Sequence, residues 1–177
     1  LANSSAVVYV AADGTSTGKG TEESPVDLAT AVKCAAPGQY IVLKNGTYTC
    51  NNITIGRSVS GTADKPIYMV AEDVNGVVFK NFGLTIVGSY WHVYGIYVQD
   101  PSAVGIQVSG NYNTIEMCTV EGSGNTGIQI SRSGSVDRDP GYEALLWPSY
   151  NLIKNCESFD NCDAGRNDAD GFAAKLT

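Results

Sequence analysis

Four aspartates, Asp160, Asp163, Asp168 and Asp170, fall within eleven residues near the end of the 177-residue chain, with Asn161, Arg166 and Asn167 among them. Oxygen-rich clusters of this kind suit Ca²⁺, which takes about 6–8 oxygen ligands. The spacing does not match an EF-hand loop. A solvated acidic loop that discourages edge-to-edge aggregation therefore stands beside the metal reading. Asp170 differs from the rest because it directly precedes Gly171, the start of a repeating strand, and should be fixed on the scaffold. Lys175 follows five residues later on the same run. Beside a cation and carboxylates, an ammonium with a shifted pKa can act as a base; otherwise it pairs with an aspartate at the surface. His92 is the only histidine, which argues against His-based metal or triad chemistry. In Tyr90-Trp91-His92-Val93 it reads as a packed strand residue. Tyr142 and Trp147 either stack on a sugar or pin down the segment that carries them.

A repeat must position these groups. Gly83-Leu84, Gly105-Ile106 and Gly127-Ile128 are spaced by 22 and 22. A second track agrees: Val93 and Ile115, Ile96 and Cys118, and Val98 and Val120 each differ by 22. The apolar runs are short and β-branched and lack helical spacing. A period of 22 is too short for most helical repeats and fits one coil of a β-solenoid. The next coil is longer. Ile115 to Ile153 is 38, which is 22 plus 16, and Gly127 to Gly171 is 44, which is 22 plus 16 plus 6. This places one insertion between about Arg132 and Ser149 and a second between Cys156 and Ala169, both flanking the acidic cluster. The alignment stacks Asn113 on Asn151 as a hydrogen-bonding ladder, and Cys118 on Cys156 as interior filler. A solenoid buries its inward residues and shows an elongated outer ladder that suits a polymer better than a small molecule.

Residues 1–60 read as an entry segment and helical cap, and 61–177 as the coils, in one domain overall. Val7-Val8-Tyr9-Val10 and Tyr40-Ile41-Val42-Leu43 read as strands, the second closed by Asn45-Gly46. Ser24-Pro25-Val26-Asp27 reads as a helix start with Ser24 as N-cap. Leu28, Val32 and Ala35 form the apolar stripe, and Pro37-Gly38 ends the helix.

Composition agrees with a folded β domain. The chain is 43% hydrophobic and 16% charged, with 20 glycines, and Tyr outnumbers Phe by 10 to 4. These figures exclude a disordered tail or a charged helical rod. The net charge of −7 argues against nucleic acid. An anionic partner then calls for a bridging cation. No apolar run approaches the roughly 20 residues of a membrane span. Leu1-Ala2-Asn3-Ser4-Ser5 has no basic or apolar leader region, so a signal peptide was removed or never present. Five cysteines without CxxC spacing make a zinc ribbon improbable and leave at least one thiol unpaired; a Cys34–Cys50 bridge is one pairing weighed. Asn3, Asn45 and Asn52 begin N-x-Ser/Thr sequons.

The stretch from Trp147 to Cys156 (WPSYNLIKNC), followed by Asp168 to Thr177 (DADGFAAKLT), resembles family 9 polysaccharide lyases, pectate lyase-like proteins of the right-handed parallel β-helix class. Tyr9 to Gly14, Ala36-Pro37-Gly38, Asn45 to Tyr48 and Gly61 to Ile67 are similar too, though many secreted β-helix proteins share them. The resemblance covers essentially the whole chain. It implies a secreted enzyme that binds Ca²⁺ and cleaves an acidic polysaccharide, pectate or a related polyuronate, by β-elimination. By motif match Asp170 is a calcium ligand, and Arg166 and Lys175 are expected to contact substrate. The family's other calcium aspartates lie one coil later and its base lysine later still, beyond Thr177, so Lys175 is not that base by position. These considerations lead to the expectation of a fragment with an incomplete site, little activity alone, and an open coil end exposed to self-association. The competing readings are a rhamnogalacturonan lyase on the same scaffold and a non-catalytic glycan-binding or structural β-helix.

Overall fold

The computed structural model describes residues 6–132, 147–165 and 169–175. The described residues open with β1 (Val7–Val10) and a helix α1 (Leu28–Cys34). Five coils of three strands follow. They are β2 (Tyr40–Leu43), β3 (Gly46–Tyr48) and β4 (Ile53–Ile55); β5 (Ile67–Ala71), β6 (Val77–Lys80) and β7 (Leu84–Ile86); β8 (Trp91–Tyr94), β9 (Ile96–Gln99) and β10 (Ile106–Val108); β11 (Thr114–Glu116), β12 (Thr119–Glu121) and β13 (Ile128–Ser131); and β14 (Leu152–Lys154), β15 (Glu157–Phe159) and β16 (Phe172–Lys175). Equivalent strands stack into three parallel sheets. The first runs β1-β2-β5-β8-β11-β14, the second β3-β6-β9-β12-β15 and the third β4-β7-β10-β13-β16. The first coil thus begins at Tyr40.

The repeat arithmetic reappears as strand register. Leu84, Ile106 and Ile128 are Cα partners in succession. Val93 pairs with Ile115 and Val98 with Val120. Across the longer coil Ile115 pairs with Ile153 and Ile128 with Phe172, as the spacings of 38 and 44 require. Alternate residues point inward, so Ile41, Leu43, Ile67, Met69, Val93, Ile96, Val98, Ile106 and Ile128 are wholly buried. Phe79 and Phe82 stack at 4.8 Å in this core. Trp91 joins it and donates its indole N–H to the Val59 carbonyl at 2.9 Å, which satisfies its polar edge.

The coil corners repeat as well. Gly95, Met117 and Asn155 have φ of 78°, 53° and 53° at one corner, and Asp100, Gly122 and Asp160 have 52°, 67° and 54° at another. A single left-handed residue turns the chain from one sheet to the next; Gly95 and Gly122 adopt it without the Cβ clash the others bear. Tyr90, Tyr112 and Tyr150 do the same at the third corner, with φ near 60° (60°, 57° and 57°). Their rings stack at 4.8 and 4.7 Å in successive coils.

The helix start differs from the sequence expectation. Asp27, not Ser24, is the N-cap, and its carboxylate accepts from the Thr30 backbone N–H at 2.7 Å. Ser24 is taken up earlier: its hydroxyl oxygen accepts from Lys19 N–H, and its carbonyl from Gly20 N–H. Val26 exchanges hydrogen bonds with β1, with its N–H on Tyr9 O at 3.0 Å and its carbonyl accepting from Ala11 N–H at 3.3 Å. These ties hold residues 24–26 extended, so helical geometry starts only after Asp27. Leu28, Ala31 and Val32 then face the core and close the first end of the solenoid. Asp27→Ala is expected to lower stability by about 1 kcal/mol in urea unfolding, whereas Ser24→Ala should change it far less.

Asn45 lies at the corner between the first and second sheets, and Gly46 is already the first residue of β3. The Cys34–Cys50 bridge is not formed: both thiols are free and exposed, Cys34 at the end of α1 and Cys50 between β3 and β4. At the last described coil Leu152, Phe159 and Phe172 remain 50%, 42% and 50% exposed, and Ile153 and Cys156 are only partly covered.

Candidate functional site

The third sheet positions the residues singled out by their chemistry. Asp170 stands just before β16, where the ladder is already paired: its carbonyl accepts from Gly127 N–H at 2.8 Å, and the Gly171 carbonyl accepts from Ile128 N–H at 2.9 Å. Backbone stacking therefore fixes its Cα, while its carboxylate is 54% exposed. Lys175, at the other end of β16, folds back along the sheet. Its Nζ lies 3.3 Å from Asp170 Oδ2 and donates to Thr126 Oγ1 at 3.0 Å. The side chains of Asp170 and Lys175 therefore meet, as the surface-pair reading of the sequence anticipated.

The other members of the acidic cluster take different places. Asp160 is the left-handed corner residue after β15. Asp163 accepts from Gly165 N–H at 3.0 Å and so serves its own turn. Arg166 and Asp168 lie outside the described residues, as does Tyr142. Trp147 is 37% exposed, and the Arg132 guanidinium lies 5.7 Å from its ring centroid.

The positioning roles of two residues, one of them Asn161 of the acidic cluster, were not visible in the sequence. Asn161 reaches in both directions: its side-chain oxygen accepts from Ser123 N–H at 3.1 Å, and its Nδ2 donates to Ser158 Oγ at 3.0 Å. Ser158 Oγ in turn donates to the Gly171 carbonyl at 2.8 Å. This relay ties the insertion after β15 to the coil beneath it and sets the strand that follows Asp170. The other is Thr126, wholly buried, whose hydroxyl holds Lys175. Its one signal was its place immediately before Gly127 in the repeat.

In the chain the longer insertion follows β13 and the shorter precedes β16, both strands of the third sheet.

For Ca²⁺ the donor type fits and the donor number does not. Asp170 offers a hard, solvent-facing oxygen, but the ion takes about 6–8. Among the described residues no group of three or more His, Cys, Asp or Glu is arranged to hold a metal. Asp170 thus qualifies as one ligand of a larger set, and it is already paired with an ammonium.

His92 is a strand residue, as read, but points outward from the first sheet. It lies 2.8 Å from Glu116, which also meets Lys154 at 3.0 Å. These two partners, Lys154 foremost, hold the Glu116 carboxyl below the usual range. Cys118 is buried, with Cys156 stacked on it in the next coil. The neighbouring Cys156, and then burial, push the Cys118 thiol well up, whereas Cys118 brings the half-buried Cys156 down to about 7 against the burial that raises it.

A family model described as the Pel9A-like right-handed β-helix region matches residues 8–177. The chain is 44% identical over 177 residues to Pectate lyase L of Thermoclostridium stercorarium, covering 96% of this chain and 14% of that protein. It is 34% identical over 169 residues to the Pectate disaccharide-lyase of Dickeya chrysanthemi, covering 96% of this chain and 21% of that protein. Among solved structures, pectate lyase Pel9A superposes with a TM-score of 0.77 at 28% identity, over 94% of this chain and 43% of that one. An alginate lyase from Paenibacillus sp. str. FPU-7 superposes with a TM-score of 0.62 at 22% identity, over 86% of this chain and 44% of that one, a likeness of fold alone. The chain spans less than half the length of each of these proteins. With that family model matching residues 8–177, this chain belongs to the Pel9A-like right-handed β-helix family.

Proposed function

We propose that this chain forms the substrate-binding coils of an extracellular, calcium-dependent lyase that cleaves pectate or a related polyuronate by β-elimination, with Asp170 among the calcium ligands. The observation that carries this reading is the 44% identity to Pectate lyase L over 96% of the chain. The position of Asp170 supports it: a residue whose backbone is fixed by the ladder and whose carboxylate faces solvent, just before the last described strand of the third sheet. Calcium, when bound, neutralises a sugar carboxylate and makes the adjacent C–H proton easier to remove.

The residues of this chain orient and bind. Lys175 offers a cation beside Asp170 to a sugar carboxylate, and Arg166 is proposed to add a second. Lys175 is not proposed as the base, because Asp170 and Thr126 both hold its ammonium. An acidic polymer on a protein of net charge −7 needs these local cations.

The test is the ultraviolet absorbance of the unsaturated product when the full-length gene product meets polygalacturonate, with calcium and with chelator. A rise abolished by the chelator is expected. No calcium-dependent rise on polygalacturonate or on a related polyuronate sinks the reading. The 177-residue chain alone is expected to turn over little, because its described residues supply one candidate ligand.

A further inference from the structure

We propose that the outward face of the third sheet is a sugar-binding track in which Gln107 and Gln129 form two successive subsites that lead a polyuronate chain toward Asp170. This inference rests on the function proposed above and names where the polymer lies.

The charge pattern selects the sheet. The strands of the first sheet include Glu116, and those of the second include Glu121 and Glu157. The five strands of the third sheet contain no Asp or Glu. In a protein of net charge −7, this is the outer face that least repels a carboxylate polymer.

The side chains supply the contacts. Thr54, Thr85, Gln107, Gln129 and Ala173 are Cα partners in succession and form one outward row along the solenoid. In two adjacent coils the same local device recurs. Gln107 Nε2 donates to Ser109 Oγ at 3.1 Å, and Gln129 Nε2 donates to Ser131 Oγ at 2.7 Å. The serines are buried, at 4% and 6% exposure. Each amide is thereby locked, leaving its carbonyl and its second N–H for a ligand hydroxyl or carboxylate. Groups pre-set in this way lose little entropy on binding.

The spacing suits a polysaccharide. Neighbouring strands lie about 4.8 Å apart, close to the length of one 1,4-linked pyranose unit, so successive coils meet successive sugars. The row then steps down to Ala173, which leaves open floor in the coil that carries Asp170 and Lys175. A chain lying on the two glutamines runs straight onto that floor.

The experiment is calorimetric titration of the chain with de-esterified oligogalacturonides of increasing length, in calcium buffer. Gln129→Ala is expected to weaken binding roughly 3- to 10-fold, the value of one or two hydrogen bonds. Gln107→Ala should show a similar loss only with oligomers long enough to reach one coil further back. Gln129→Glu, which places an acid on the acid-free sheet, should cost more, and added salt should relieve part of that loss. Thr47→Ala on the second sheet serves as control. If the wild type binds and neither glutamine variant differs from that control, the track is overturned while the proposed function stands. If the wild type binds no oligomer, both fall.

Discussion

Asn113→Ala is expected to lower the free energy of unfolding by about 2–5 kcal/mol, among the largest losses a single substitution can cause here. Asn113 is 1% exposed, yet its side chain is fully used. Its Oδ1 accepts from Trp91 N–H at 2.9 Å and its Nδ2 donates to the Gly88 carbonyl at 3.1 Å. Alanine strands both backbone groups in a dry corner, at about 1–3 kcal/mol for each unsatisfied group. No water replaces the lost partners without room to enter. Asn113→Asp keeps the acceptor but loses the donor and buries a charge, so it should be no better tolerated. Asn151 repeats the motif one coil later, accepting from Asn113 N–H at 2.9 Å and donating to Gly110 O at 2.9 Å, but it is only half-buried. Asn151→Ala should therefore cost clearly less. Urea unfolding monitored by circular dichroism decides it, provided the slope with denaturant stays constant. Equal, small losses at both positions would show that core packing alone holds the coils in register.

The scaffold was legible because a solenoid writes its register directly into residue spacing. Intervals of 22, 38 and 44 became the pairs Val93–Ile115, Ile115–Ile153 and Ile128–Phe172, since each coil must place the same inward residue above the last. The helix cap was less legible. Ser24 and Asp27 both satisfy capping chemistry, and the choice fell to tertiary bonds between Val26 and β1 that local sequence does not announce. The left-handed corners were not read from the sequence: Gly95 and Gly122 adopt them without a Cβ clash, but at Met117 and Tyr112 the stack imposes the geometry on residues that disfavour it. At the candidate site, the sequence marked Asp170 through its place before Gly171. It gave no sign that Lys175 folds back onto Thr126, a contact across 49 positions. The glutamine row had a visible period, Gln107 to Gln129, but its meaning came only when three sheets could be compared for charge.

Asp170→Asn should separate structure from chemistry at the site. Its carboxylate is half exposed, and its pair with Lys175 at 3.3 Å is a surface ion pair, worth about 0–1 kcal/mol. The backbone carbonyl that stacks on Gly127 is untouched by the change. Stability should therefore move by less than about 1 kcal/mol. If Asp170 is a calcium ligand, loss of its charge should lower the calcium-dependent elimination rate of the full-length gene product by about 100-fold or more, beyond the 10–100-fold that outer partners of a metal site contribute. Lys175→Met breaks the same ion pair without removing an oxygen donor. It is expected to raise the KM for polymer while leaving half-saturation by calcium unchanged. Calcium titrations of both variants at saturating substrate make the comparison. A rightward calcium shift confined to Asp170→Asn assigns the carboxylate to the metal. Equal calcium shifts in both variants would mean that Asp170 acts only through Lys175, holding a cation in place for the sugar chain.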